Sequence, residues 1–192
     1  MRYSAMWPRY AAWWDKMVIN TSRRAEFERL AKFAIDHKGI YQAITILTGV
    51  PWELIAVLHR RESDANFHTY LGNGQPLIHR TTIVPKGRGP FLGSHDFIDG
   101  AVDALKLEGM TDVKDWRLEK QLFWCEAFNG WGAANKGIPS SYIWGGTSIQ
   151  HAGRWVADHV WNGTVWDQQP GCAPILATIA QLDPTVKFTR ET

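Results

Sequence analysis

Glu62 stands where an apolar helical pattern stops and a glycine-rich turn begins, in the stretch LHRRESDANFHTYLGNG from Leu58 to Gly74. On a helix that opens near Pro51, Ile55, Leu58, His59 and Glu62 share one stripe, because residues three and four apart are neighbours, while Arg60 and Arg61 point elsewhere. The carboxyl group then continues a core-facing stripe at the carboxyl end of its helix. There the negative end of the helix dipole and an apolar surround both disfavour the ionised form and raise the pKa. A carboxylic acid kept protonated near neutral pH donates a proton to a leaving oxygen, the part of the general acid in glycoside cleavage. Next to Arg60, Arg61 and His79, the same residue also suits an ordinary helix-end ion pair, and spacing alone leaves both roles open.

A second stretch, EAFNGWGAANKGIPSSYIWGG, combines a helix end, an amide side chain, aromatics and glycines that permit close approach. Asn129 and Gln150 are candidate partners for acetamido groups, and Phe128, Tyr142 and Trp144 are candidate stacking faces for sugar rings. Tyr70 and Phe91 are expected to join them from the segment after Glu62. His59, His68, His79 and His95 form no paired metal-ligand motif, Ser63 has no evident triad, and the glycines around Arg88 lack the lysine and hydroxyl residue of a phosphate loop. No metal or organic cofactor is expected.

The elements that must position these groups are mainly helical. Patterns predict helices from Pro8 to about Ile19, after Ser22 as far as Gly39, over IYQAITILT, and over PWELIAVLHRRE. Further helices are predicted over HDFIDGAVDALKLE, DWRLEKQLFWCEAFN, SIQHAGRWVADHVW and APILATIAQL. Ser94, Asp115 and Thr147 or Ser148 are the expected N-caps. Between Ser63 and Gly93 the segments NFHTYL and QPLIHRTTIVP read as two short strands around Gly72-Asn73-Gly74, the one small hairpin of a mainly α (α+β) fold. The segment from Gly130 to Gly146 reads as a long structured loop, and the last residues as loosely held.

A chain of 192 residues, 45% hydrophobic and 21% charged, suits one globular domain over residues 1–192. A net charge of only +2 gives no polybasic field, so nucleic acid is not an expected partner. Cys125 and Cys172 are too few for a zinc site and are expected to be reduced. The N-terminus is broken by Arg9, Asp15 and Lys16, unlike a signal peptide, and no stretch reaches membrane-spanning length, so cytoplasmic synthesis without stable membrane insertion is expected, as a monomer. Most of the 11 tryptophans are expected in the core, with Trp131 and Trp144 as exposed exceptions.

A helix ending in Glu-Ser, a polar segment with a glycine-rich turn, and a Phe-Asn helix end some tens of residues later resemble the lysozyme-like superfamily. The layout is nearest to goose-type lysozymes and soluble lytic transglycosylases, with Glu62-Ser63 at the catalytic Glu-Ser position and Phe128-Asn129 where those enzymes carry Tyr-Asn. HRRESDANFHTYLGNGQPL, TTIVPKGRGPF, GAVDAL, EAFNGWG and KGIPSSYIWGGT resemble phage and prophage endolysins of the lysozyme family, over roughly Ala11 to Asp158. The resemblance implies a lysozyme-like helical domain with its hairpin beside the cleft, Glu62 as catalytic acid, and cleavage of the β-1,4 bond between N-acetylmuramic acid and N-acetylglucosamine in peptidoglycan. It implies action on the bacterial cell wall, in the periplasm, after release by another protein. The sequence departs from the wider family in two places: Phe128 replaces a tyrosine, and KGRGPF stands near the place of a Gly-Leu-Met-Gln motif.

Glycosidases commonly pair two carboxylates, about 5 Å apart when the second is a nucleophile and about 6.5–9.5 Å apart when it activates water. After Asp64 the chain has no acid until Asp96. Asp64 folding back, Glu126 arriving from another helix, or Thr82 and Thr81 positioning a water would each fill the role. The remaining route needs no base, as in lytic transglycosylases, where the muramoyl 6-hydroxyl attacks.

Overall fold

The computed structural model describes residues 1–157 and 160–192, and the side chains of all of these except 155–157. The chain is mainly helical, as its patterning predicts. It divides into two compact units: Met1–Phe33 with Arg117–Thr192, and Ala34–Trp116.

The first unit opens with helix α1 (Tyr3–Lys16), which carries Pro8 inside it and so begins five residues before the predicted start. Proline there forfeits the bond that an N–H would make to the Ser4 carbonyl, a loss the buried Met6 and Tyr10 offset by packing. A 3-10 turn at Thr21–Arg23 leads into α2 (Arg24–Asp36), within which the division between units falls. Phe27, Ala31 and Ala34, at helical spacing, are buried, and Leu30 is half-buried.

The same unit resumes with α6 (Leu118–Asn129), the short helices α7 (Gly132–Asn135) and α8 (Ser141–Trp144), and α9 (Cys172–Leu182). Helices α7 and α8 occupy the segment expected to be a loop. Helix α6 packs on α1, α8 and α9 around Leu122, Cys125, Ile143, Trp144, Leu176 and Ile179, all buried. Cys125 and Cys172 are buried and free.

Two corrections concern this unit. The helix predicted over residues 148–161 is absent from its described residues: β1 (Arg154–Ala157) pairs antiparallel with β2 (Val160–Asn162), and residues 158 and 159 of that prediction lie outside the described residues. Valine and tryptophan favour a pleated surface over a helix, and the Thr147 hydroxyl, expected as a helix cap, instead donates to the Trp144 carbonyl at 2.7 Å and accepts the Ile149 N–H at 3.2 Å. The C-terminal residues are also not loose. Arg190 donates to the buried Glu119 at 2.5 Å and to Asp15 at 3.0 Å, the Arg117 guanidinium donates to Glu191 at 2.8 Å, and the Leu118 N–H donates to the Thr189 carbonyl at 2.9 Å.

The second unit contains α3 (Lys38–Thr48), α4 (Trp52–Ser63) and α5 (Asp96–Leu107). Gly39 lies inside α3 instead of ending α2, and Gly49 closes α3 in the left-handed region at φ 75°. Helix α3 packs on both α4 and α5, with Tyr41, Ile44, Leu54, Leu58, Phe97 and Leu105 buried. Neither Ser94 nor Asp115 caps a helix; His95 and Arg117 hold the N-cap positions of α5 and α6 without a side-chain cap bond.

The predicted hairpin at residues 66–85 does not form two strands. A single bridge, Thr69 to Pro76, closes the turn, and the Gln75 side chain accepts the N–H groups of Thr82 and Ile83 that a ladder would have used.

Candidate active site at the end of the Glu62 helix

Helix α4 is the most enclosed element of its unit: every residue from Trp52 to His59 is buried. Pro51 sets its N-terminal boundary and Glu53 lies in its first turn. It ends in a left-handed C-cap, where the Asp64 N–H donates to the Arg60 carbonyl at 3.1 Å and the Ala65 N–H to the His59 carbonyl at 3.1 Å. Asp64 and Ala65 both carry positive φ, at 55° and 57°. This conformation costs a residue with a Cβ roughly 1–2 kcal/mol, so the helix stop is held by its surroundings. Glu62 lies on the last turn, half-buried.

His59, one turn before Glu62, is fully buried against Phe67 and Phe97, with ring centroids at 4.8 Å and 4.4 Å. Its Nδ1 lies 3.0 Å from the Tyr41 hydroxyl. Burial pushes the imidazole down to about 4, so it is neutral and part of the aromatic packing under the helix end.

The glycine-rich turn presses directly on this helix end. Gly74 has φ 72°, and a Cβ added to it would lie 2.9 Å from the Glu62 carbonyl oxygen. The turn is closed by the Gly74 N–H on the Tyr70 carbonyl at 2.8 Å and the Tyr70 N–H on the Gln75 carbonyl at 2.7 Å. Gln75 then reaches the next loop: its Nε2 donates to the Thr82 hydroxyl at 2.9 Å, and its Oε1 accepts the Thr82 N–H at 2.7 Å. The turn therefore lies against the Glu62 main chain at Gly74 and, through the next residue Gln75, holds Thr82.

The other expected catalytic groups are engaged elsewhere. Asp64 is exposed and accepts from Arg60 at 2.6 Å, turned along its own helix. The buried Thr81 hydroxyl donates to the Pro85 carbonyl and accepts the Arg88 N–H at 3.0 Å, so it pins the loop. Thr82 is exposed, and its hydroxyl retains its own proton to donate.

Tyr70 is corrected from a ligand-stacking residue to a core residue. It is fully buried, stacks on Phe91 at 5.6 Å, and donates to Asp103 at 2.8 Å. Arg88 grips the same carboxylate through both nitrogens. Burial alone would raise the Asp103 pKa; the Arg88 and Tyr70 hydrogen bonds overcome it and hold the carboxyl below the usual range. Phe91 is half-buried. Sequence reasoning missed both Gln75 and the Tyr70–Asp103–Arg88 group, because neither pairing leaves a periodic signal.

In the first unit, Asn129 is exposed and Phe128 half-buried at the end of α6, as a contact surface requires. Tyr142 and Trp144 are not exposed: they are 5% and 0% accessible, and Trp144 sits edge-on to Trp13 at 5.9 Å. Trp131 is half-buried, tilted against Phe123 at 4.9 Å. Gln150 is spent on the backbone, accepting the Gly146 N–H at 2.8 Å and donating to the Asp167 carbonyl at 2.7 Å. Glu126 is 1% accessible beside the Ser140 hydroxyl, and desolvation, opposed by that hydrogen bond, pushes it up to about 8.

Among the described residues no group of three or more His, Cys, Asp or Glu could hold a metal ion. No single described helix is long and apolar enough to cross a membrane. Comparison with protein-family models, with curated proteins and with solved structures finds no match.

Proposed function

We propose that the chain hydrolyses peptidoglycan glycan strands in the manner of an endolysin, with Glu62 as general acid. The observation that carries the reading is that Glu62 closes a helix buried from Trp52 to His59, with the Gly74 backbone against its main-chain carbonyl and the next residue, Gln75, bonded to the exposed Thr82 hydroxyl. Glu62 protonates the glycosidic oxygen, the C1–O bond of N-acetylmuramic acid breaks, and a water hydrogen-bonded by Thr82 adds to C1, releasing a proton to solvent while Glu62 is reprotonated from solvent. The products are a reducing muramic end and a free 4-hydroxyl on N-acetylglucosamine.

A second reading is favoured by one fact: Asp64, the carboxylate nearest Glu62 in the chain after it, is bound to Arg60. With no base, the muramoyl 6-hydroxyl adds to C1 in place of water, and the enzyme is a lytic transglycosylase giving anhydromuramic ends. A wall-binding protein without turnover is the reading of another class.

Mass spectrometry of soluble products from purified peptidoglycan, digested by wild type and by Glu62→Gln, separates the three. Reducing muramic ends that vanish in the variant support hydrolysis. Anhydromuramic ends replace it with transglycosylation, and intact glycan after wild-type treatment leaves the binding protein.

A further inference from the structure

Between Asp64 and Asp96 the chain carries no carboxylate, while Arg80, Lys86 and Arg88 fall in the middle of that interval. The same interval exposes four aliphatic side chains: Ile78 at 60%, Ile83 at 53%, Val84 at 80% and Leu92 at 66%. Their backbone is firmly tied. The Phe91 N–H donates to the Leu77 carbonyl at 2.8 Å, and the Thr81 N–H donates to the Arg88 carbonyl at 3.0 Å. At the tip, Asn73 Nδ2 donates to the Ile83 and Val84 carbonyls at 3.3 Å and 3.5 Å, and Gln75 accepts the Ile83 N–H at 3.1 Å. Arg80 donates to the Gly87 carbonyl at 3.0 Å, and Lys86 stands exposed next to the tip.

An ordered loop that holds aliphatic side chains away from its own core marks an interaction surface. We infer that this lobe docks on an anionic lipid surface, with Ile83 and Val84 entering the headgroup boundary while Lys86 and Arg80 meet phosphates. The chemistry selects this partner. A sugar polymer would call for aromatic stacking faces, and Tyr70 and Phe91 are packed inward on each other. An anionic wall polymer would account for the cations but not for the aliphatics. The exposed aliphatic side chains of Ile83 and Val84, close in the chain to the exposed cations Arg80 and Lys86, match the two attractions that hold a protein at an anionic bilayer interface. The docking would keep Thr82, adjacent to Ile83, near the membrane face.

The test is cosedimentation of the full chain with vesicles of phosphatidylglycerol and phosphatidylethanolamine, against vesicles of phosphatidylcholine. Wild type is expected to favour the anionic vesicles by about tenfold or more, and to lose that preference in 0.5 M salt, where the screening length is only roughly 4 Å. Ile83→Ser/Val84→Ser is expected to weaken binding by about tenfold, from the apolar area it withholds. Lys86→Glu is expected to weaken it by at least about fivefold. Unchanged circular dichroism confirms that the variants fold. Equal binding to both vesicle types, or variants that bind like wild type, overturns the proposal. So does wild type that ignores vesicles but self-associates through Ile83 and Val84, which assigns the patch to a second copy of the chain. Vesicles contain no glycan, so this outcome is independent of the cleavage assay.

Discussion

Gln75 holds Thr82 by two atoms at once, its Nε2 on the hydroxyl at 2.9 Å and its Oε1 on the backbone N–H at 2.7 Å. Gln75→Ala is therefore expected to lower glycan cleavage about tenfold, and Thr82→Val to do the same. The double variant should be little worse than either single one, because in the proposed mechanism both remove one water-positioning unit. Rates from reducing-end release on purified walls decide it: additive losses would show that Thr82 acts without Gln75.

Gly74→Ala puts a Cβ against the Glu62 carbonyl at 2.9 Å in a left-handed backbone, whereas Gly87 has a similar φ of 78° with open space around it. Gly87→Ala is expected to cost about 1 kcal/mol of strain. Gly74→Ala should cost about 2–3 kcal/mol and also slow cleavage. Thermal melts of both variants, run beside the activity assay, separate strain from contact.

Glu126 is pushed up to about 8 in the fold by burial, against about 4.3 in an unfolded chain. Its protonated form is the one the fold prefers, so the favourable balance is complete below about pH 4.3. It is lost as pH rises toward 8, because the unfolded state gives up its proton first. Glu126→Gln is expected to gain stability relative to wild type across that window, on the order of a few kcal/mol by its upper end. Denaturant midpoints of the two proteins at pH 5 and pH 8 measure the gap; equal gaps at both would contradict it.

His59 has the opposite slope. Burial holds it at about 4, so as pH falls below about 6.5 the unfolded chain takes a proton that the folded unit refuses. Stability supplied by the neutral ring is present above pH 6.5 and is lost progressively toward pH 4. His59→Gln should flatten the acid limb of stability against pH while lowering the plateau, through lost ring contacts with Phe67 and Phe97.

The position of Glu62 was legible because helical spacing is local and strong: the stripe of Ile55, Leu58 and His59 is buried and Glu62 follows it. The hairpin was misread because threonine, isoleucine and valine at residues 81–84 have strand propensity, yet the Gln75 side chain, seven residues upstream of Thr82, took the N–H groups that a ladder needs. Trp144 was expected to be exposed because glycines follow it. Those glycines instead admit close neighbours: a Cβ on Gly145 would meet the Gln169 carbonyl at 2.5 Å, and one on Gly146 the Phe27 ring at 2.6 Å. Grips such as that of Arg190 on Glu119, 71 residues away, and on Asp15, 175 residues away, leave no trace in any short window.

The division of the chain also sets an order of assembly. Every residue of Ala34–Trp116 has been synthesised before Arg117 is added, so this unit can close around Leu54 and Leu58 while its flanking partner still lacks α6, α8 and α9. Helix α1 must wait for residues more than a hundred positions later, and its final ties arrive with Arg190 and Glu191. Until then Tyr10 and Met6 have no core to enter, and the nascent chain carries one finished unit inside an unfinished one.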